Sequence, residues 1–390
     1  MASAKVGIGL GYGDEGKGTM VDYLARDVAN ALVVRFSGGS QAGHNVVTKY
    51  GEHHCFSQFG SGAFSNSGTL LSRFMMVDPV ALAHETAALR PHFGTDPLAR
   101  HFIDERCPII TPFHVAANLE RERQRGADAH GTCGKGIGEL ADDLQHHKEE
   151  VLRASEICSP ALAADKLRLI QQRKREAPGA TNGILCDASR YEEIARAYAE
   201  LAPHFNIISA DQAAAMIASS DCIFEGSQGV LLDEKFGLQP HTTWSNVTAG
   251  NAVRLALECG IQRVEIIGVT RTYGTRHGAG PFLGERLPVP AWPGEHNGNE
   301  GIQGRFRSGA LDLGLLRHAA TCCPDLQLTS VALTHADIFE RCQALPFTGE
   351  DGEASEAGSI EEMAELVRIA TGAEVRYLSS GPTAQHKIRR

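Results

Sequence analysis

The 390-residue sequence contains no apolar run near the roughly 20 residues that a membrane helix requires, so no spanning helix is expected. Its ten cysteines, scattered from Cys55 to Cys342, include no CxxC pair. That spacing suits neither a disulfide framework nor a zinc site, and adjacent Cys322 and Cys323 read as small core residues rather than a redox pair. Positive charge is not in excess: 37 basic residues face 47 acidic ones, for a net −10. Gripping nucleic acid or an anionic membrane is therefore excluded as the main task, and neither partner is expected. A small phosphorylated ligand is not excluded, because it needs only a local group of donors. Met1 to Lys5 lead into a strand-like run without a basic, apolar leader, and with unpaired cysteines this gives the expectation of a cytoplasmic protein. Internal repeats and low-complexity linkers are absent as well.

What remains is 42% apolar, enough for a large core. Strand-like runs alternate with helical patterns over most of the length, the mark of an α/β fold: a single domain, 1–390, with a largely parallel central sheet flanked by helices. The strands expected are 6–10, 31–36, 70–77, 183–187, 206–209, 221–225, 264–269, 330–334 and 374–378. Helices are expected at 19–29, 79–89, 190–201, 210–219, 252–259 and 360–371, and the acidic stretch 348–358 reads as a surface loop. The 42 glycines concentrate in short polar loops, where the chemistry is to be sought.

The strongest local signal is residues 11–18, GYGDEGKG, a P-loop-like glycine loop that follows the first strand and opens a helix. There, backbone N–H groups and a helix N-terminus cradle phosphate while the lysine reaches a terminal phosphate; the bland alternative is a tight turn. Gly18 stands where a Walker loop has the hydroxyl that holds magnesium, which leaves Asp14 as the nearest oxygen ligand. The second loop, 37–45, brings Gln41 and His44 to the same sheet end, where open α/β sheets carry their ligand crevice. Loops at 131–138, 224–229 and 275–282 follow the same style. One such loop is an ordinary turn; five at strand ends suit two phosphate-bearing ligands.

Taken together these segments resemble the adenylosuccinate synthetase family. GDEGKG (13–18), GGSQAGH (38–44), GTCGKGIG (131–138), FEGSQGVLLD (224–233), TWSNVTAG (243–250), TRHGAGPF (275–282), RSGALD (307–312), LTHAD (333–337) and SSGP (379–382) follow the family's order. The resemblance implies a Mg²⁺- and GTP-dependent ligation of L-aspartate to C6 of IMP through a 6-phosphoryl intermediate, as in purine biosynthesis, with ATP as the other possible donor. It implies Asp14 as general base and magnesium ligand, Gly43 as second metal ligand, and Lys17 and His44 as catalytic cations or donors at the transferred phosphate. Gly13, Glu15, Gly16, Gly18, Asn45, His335, Asp337, Ser380 and Gly381 would complete the GTP site, with Asp337 reading guanine. Gln41, Thr132, Cys133, Lys148, Arg153, Gln228, Thr243 and Arg305 would meet the acceptor nucleotide. Ile302, Gln303, Arg305 and Arg307 would meet the amino-acid donor. A homodimer is implied by the family alone.

Several positions depart from the family pattern. Gln41 replaces an asparagine, Cys133 and Lys135 replace a hydroxyl and an arginine, and a lysine cannot bind phosphate bidentately. The donor loop 302–307 is short of threonine and arginine, Trp244 replaces a small residue, and His335 replaces a lysine. The arginine lent across the family's dimer interface has no clear counterpart; His147 and Lys148 are nearest by spacing. These departures keep a second reading open, a 2-aminoadenylosuccinate synthetase-like ligase acting on GMP or dGMP, although retention of Asp14 favours IMP. From another class comes a non-catalytic nucleotide sensor on the same scaffold.

Overall fold

A computed structural model describes residues 3–26, 28–126, 131–176, 183–290, 295, 297–298, 303–323 and 327–390. In chain order the strands are β1 (Ala4–Gly9), β2 (Ala31–Arg35), β3 (His44–Val47), β4 (His53–Phe56), β5 (Gly68–Leu71), β6 (His101–Asp104), β7 (Asn206–Ile208), β8 (Asp221–Glu225), β9 (Val264–Arg271), β10 (Gly274–His277), β11 (Phe306–Gly309), β12 (Leu311–Asp312), β13 (Ser330–Thr334), β14 (Leu345–Thr348), β15 (Ala354–Ala357), β16 (Val375–Ser379) and β17 (Lys387–Arg389). The α-helices are α1 (Lys17–Arg26), α2 (Pro79–Leu89), α3 (Pro112–Arg125), α4 (Ile137–His146), α5 (Pro160–Glu176), α6 (Arg190–Leu201), α7 (Ala210–Ser219), α8 (Gly250–Glu258), α9 (Leu313–Thr321) and α10 (Ile360–Thr371).

Ten strands form one sheet in the order β17-β16-β13-β9-β1-β8-β2-β5-β6-β7. All neighbours run parallel except the edge pair β16 and β17. The near-continuous apolar runs of β1, β2 and β8 arise because both faces of the sheet are covered. On one face Val6, Ile8, Val34 and Phe224 pack with Ala252 and Leu255 of α8 and Leu316 of α9. On the other, Val33, Ile223 and Val269 pack against Met20, Val21 and Leu24 of α1. A second apolar body joins α2, α3, α5 and α6 beyond β5 and β6.

Three sequence expectations need correction. Residues 183–187 form no strand; Gly183–Leu185 is a 3₁₀ turn. The Gln171 amide of α5 donates to the carbonyls of Ile184 (2.9 Å) and Asp187 (2.7 Å), so a side chain supplies what a ladder partner would. The strand expected at 70–77 ends at Leu71, where the chain turns at Ser72 and Met75. Residues 348–358 are not wholly loop, since β14 and β15 pair antiparallel around a turn at Gly352, whose φ is +83°. Among the described residues no helix is long and apolar enough to cross a membrane, and no disulfide joins the cysteines.

Phe224 is fully buried, its ring edge-on to Phe36 at 6.2 Å. Phe224→Ala should lower the unfolding free energy by about 3–5 kcal/mol. Leu257→Ala, at a half-exposed position of α8, should change it by less than about 0.5 kcal/mol. Urea denaturation compares the two, and equal effects would refute the assignment of the central core.

Candidate active site

Parallel strands deliver their following loops to one edge of the sheet. The segments after β1, β2, β8, β13 and β16 therefore converge on a single cavity of about 860 Å³. Of the residues expected at the site, Gly13, Asp14, Gly16, Lys17, Gly18, Gln41, Gly43, His44, Asn45, Thr132, Cys133, Gln228, Thr243, Gln303, His335, Asp337 and Gly381 line it.

Glu15 lies beneath the first loop rather than in the cavity. Its carboxylate accepts the N–H groups of Gly11 (3.0 Å) and Gly13 (2.7 Å) and pairs with Lys17 Nζ at 2.8 Å, all out of solvent. Close approach requires glycine around it: a Cβ on Gly9 would sit 2.2 Å from Glu15 Oε2, and one on Gly229 would meet the Gly11 carbonyl at 2.2 Å. Gly18 has a comparable reason for lacking a side chain. A Cβ there would meet His44 Cβ at 2.7 Å and Ser61 Oγ at 2.9 Å, so no hydroxyl fits in that place.

His44, at the start of β3, is buried, and its Nδ1–H donates to Glu225 Oε1 at 2.5 Å. Burial lowers the His44 pKa, and the Glu225 carboxylate beside Nδ1 opposes it. Glu225 also accepts from the backbone N–H (3.0 Å) and the hydroxyl of Ser61. Burial favours its neutral acid, but His44, the Arg35 guanidinium and Ser61 outweigh burial and hold Glu225 at about 2.

Asp14 adopts a left-handed backbone, with φ +63°. That conformation is held by Arg271, whose Nε donates to the Asp14 carbonyl at 2.6 Å while its other end pairs with Glu295 and Tyr273. Burial raises the Asp14 carboxyl pKa and Glu15 adds to this, while Arg271 and Lys17 oppose it. Among the described residues no three His, Cys, Asp or Glu side chains gather to hold a metal unaided. One carboxylate plus a backbone carbonyl at Gly43 fits magnesium, which takes its remaining oxygens from water and substrate phosphate.

At the far wall, α4 begins at Gly136 without a side-chain cap, and Asn118 of α3 holds both Thr132 Oγ1 and the Gly136 N–H at 3.3 Å. Gln41 Nε2 and Oε1 and Gln228 Oε1 are buried without hydrogen-bond partners, as ligand-reading amides would be. Trp244, half exposed, borders the same space.

Other expected residues are not brought there. Arg307 donates to the carbonyls of Gly278 (2.6 Å) and Gly280 (3.0 Å) and pairs with Glu285. It is used to hold a turn. Arg305 is exposed and outside the lining, and Ser380 is exposed between two lining residues. Lys148 is exposed away from the cavity, and Arg153 donates to the Arg106 carbonyl. Within one chain neither reaches the acceptor end. Ile302 lies outside the described residues. Sequence reasoning missed Arg271, Glu225, Arg121 and Arg125. Arg121 and Arg125 sit four apart on α3 and face the cavity together, a helical spacing that could have flagged them.

Donors suited to phosphate, gathered beyond the ends of parallel strands, define a nucleotide-binding α/β enzyme. Comparison with known proteins specifies the family. The family model for adenylosuccinate synthetase matches residues 6–385. The adenylosuccinate synthetase of Aliivibrio fischeri is 33% identical over 385 residues, 95% of this chain and 85% of the relative. That of Syntrophus aciditrophicus is 32% identical over 360 residues, 87% and 78% respectively. The chain belongs to the adenylosuccinate synthetase family, ligases that form a C–N bond. Two solved structures share its fold. The fully ligated adenylosuccinate synthetase of Plasmodium falciparum has TM-score 0.80 and 17% identity, covering 99% of each chain. The succinoaminodeoxyadenylate synthetase of cyanophage S-2L, bound to dGMP and dATP, has TM-score 0.63 and 18% identity, covering 100% of this chain and 95% of that one.

Because both His44 and Glu225 bind protons less readily when folded, stability at this pair is complete above the unfolded histidine value of 6.5. It is lost as pH falls, first below 6.5 as the unfolded histidine takes up its proton, then past 4.5 toward about 2, where folded Glu225 titrates. Glu225→Gln should flatten the lower part of that decline in urea midpoints measured from pH 5 to pH 3 (a range of about two units,). An unchanged slope would refute the ionised Glu225.

Proposed function

We propose that this enzyme uses GTP and Mg²⁺ to join L-aspartate to C6 of IMP, giving adenylosuccinate. The observation that carries the proposal is Asp14 at the crest of the first loop, lining one cavity with Lys17, His44 and the unpartnered amides of Gln41 and Gln228. In this reading Asp14 takes the N1 proton of IMP, and the purine O6 attacks the γ-phosphorus as GDP departs. The amine of aspartate then adds at C6, and phosphate leaves. A carboxyl whose pKa is raised by burial is a better base for an amide proton than an ordinary one. Lys17 offsets charge on the transferred group, and His44, oriented through Nδ1 by Glu225, is protonated at Nε2 by the charge of the bound polyphosphate and donates from there to the bridging region. Bound magnesium would draw charge from the phosphate oxygens, held by Asp14 and Gly43. Asp337 accepts from guanine N1 and N2, which selects GTP over ATP. Gln303 is the donor-loop residue placed to meet aspartate, since Arg307 is engaged elsewhere. A cytoplasmic homodimer completes the reading, with His147 or Lys148 the residues available to cross the interface.

A second reading has one specific support. Gln41 is one methylene longer than the family's asparagine, its carboxamide buried and unpartnered, and Trp244 borders the same space. That wall suits a purine carrying a 2-amino group, and the cyanophage protein that shares the fold was solved with dGMP.

Mass spectrometry of one reaction containing Mg²⁺, GTP, ATP, aspartate, IMP, GMP and dGMP separates the two. A succino-adduct of IMP is expected; an adduct of GMP or dGMP would replace the first reading with the second. Asp14→Asn should lower turnover by about 10²–10⁴-fold, the usual worth of a general base, while nucleotide still binds. Unaltered turnover would remove Asp14 from that role, and absence of turnover in the parent protein would favour a sensor.

A further inference from the structure

The loop 379–383 forms the cavity wall beside Asp337, through Ser379, Gly381 and Pro382. Its carbonyls are held from outside the cavity. Lys387, on the antiparallel edge strand β17, is 5% exposed, and its Nζ donates to the carbonyls of Gly381 (2.6 Å) and Thr383 (2.8 Å). Thr19 Oγ1, from the first turn of α1, donates to the Pro382 carbonyl at 2.8 Å. The Ser380 N–H donates to the His386 carbonyl at 3.0 Å, and a Cβ on Gly381 would meet His386 Nδ1 at 2.6 Å. The segment carrying Lys387 thus folds back against the loop and leaves it little freedom.

Asp337 can read guanine only as a carboxylate, and burial works against that by raising its pKa. Glu340 adds to burial there, while Lys387 and the His386 ring oppose it. His335, two residues away, contributes no charge, because burial and its cationic neighbours Arg271 and Lys387 keep its ring neutral. We propose that Lys387 is a positioning residue for nucleotide selection: it fixes the 379–383 wall and supports the Asp337 carboxylate, setting the preference for a guanine over an adenine triphosphate. This rests on the reading of Asp337 as the guanine acceptor.

The same lysine makes the preference sensitive to pH. Burial lowers Lys387 to about 7, against the pull of Asp22 from α1 and of Asp337. The groups facing it are those two carboxylates, with His335 and His386 nearby. As pH rises through that value the amine loses its charge, its hydrogen bonds to the carbonyls weaken, and Asp337 loses support.

The test is the ratio of dissociation constants for Mg·GTP and Mg·ATP, measured by calorimetry on the full chain, Lys387→Met and Asp337→Asn. Phosphate titration is common to both nucleotides and cancels in the ratio. GTP preference should fall about tenfold or more in Lys387→Met, the scale of one lost charge-assisted hydrogen bond. In the parent protein it should also decline from about pH 6 to about pH 8, and more steeply than in Lys387→Met, which keeps only the neighbouring His386. Preference lost in Asp337→Asn but kept in Lys387→Met would overturn the proposal and leave the guanine reading intact. No GTP preference in the parent protein would overturn that reading and the proposal with it. If Lys387→Met misfolds, Lys387→Arg keeps the test: a guanidinium stays charged over this range, so the decline should be shallower there than in the parent protein, and equal slopes would overturn the proposal.

Discussion

Most of the loops that line the cavity of this enzyme continue strands that run parallel within one sheet. A parallel sheet buries both faces under helices and leaves only its two ends open, so the loops at one end become the ligand surface. The cost of that arrangement lies in the loops' own backbone. They turn sharply near the core, where N–H and C=O groups cannot all reach water. The sequence meets the need with side chains. Glu15 takes two N–H groups of the first loop, and the Thr334 hydroxyl donates to the Glu15 carbonyl at 2.7 Å. Arg271 takes the Asp14 carbonyl, and Lys387 takes those of Gly381 and Thr383. The Thr334 and Arg271 links cross from one strand end to another, which joins the cavity wall into one body rather than a row of independent loops.

Charge is arranged on the same principle. A buried ion is costly unless paired and hydrogen-bonded. Lys17 is paired with Glu15, and Glu225 is surrounded by His44, Ser61 and Arg35. Asp14 is less fully compensated, since Arg271 spends its closest contact on the Asp14 carbonyl rather than on the carboxylate. Of the carboxyls of Glu225 and Asp14, the one with its pKa pushed upward therefore faces the cavity, where proton transfer is useful.

Much of this was legible in the sequence, for identifiable reasons. β1, β2 and β8 are uninterrupted apolar runs because they are buried on both faces, and the glycine loops stand out because close approach forbids a side chain. The short strands were not legible. β3 and β4 pair only with each other, and β10 and β11 do the same, so their burial is too uneven to imprint a pattern. Residues 183–187 resemble a strand locally, but Gln171, a residue of α5, determines their conformation. At the site, the cavity-facing residues of the glycine loops were found because they share short motifs. Arg271 and Glu225 escaped because their importance depends on partners hundreds of positions away, 257 for Asp14 and 181 for His44. Arg307 misled for the opposite reason: its motif suggested a ligand contact, whereas its guanidinium is occupied by nearby carbonyls.

The same physics orders the departures from the family pattern. Lys17 and His44 are each tied into networks whose members would be left buried and unpaired if one changed, and such losses are expensive, whereas Asp14 is tied through its backbone carbonyl. Gln41, Lys135 and Trp244 face the cavity without such ties; two atoms of Gln41 have no protein partner at all, Lys135 is exposed, and Trp244 is half exposed. Substitution at those positions changes what the cavity recognises at little cost to the fold. His335 shows the limit of that freedom. It occupies the place of a lysine, but in a half-buried left-handed turn where Thr334 Oγ1 lies 3.0 Å from its ring nitrogen and desolvation, with Arg271 and Lys387 nearby, keeps it uncharged. A neutral ring is what that environment tolerates without a new counter-ion. The end of the cavity that carries Lys17 and His44 is therefore the part least free to vary, and the walls that carry Gln41, Lys135 and Trp244 are the parts where a different ligand is most readily accommodated.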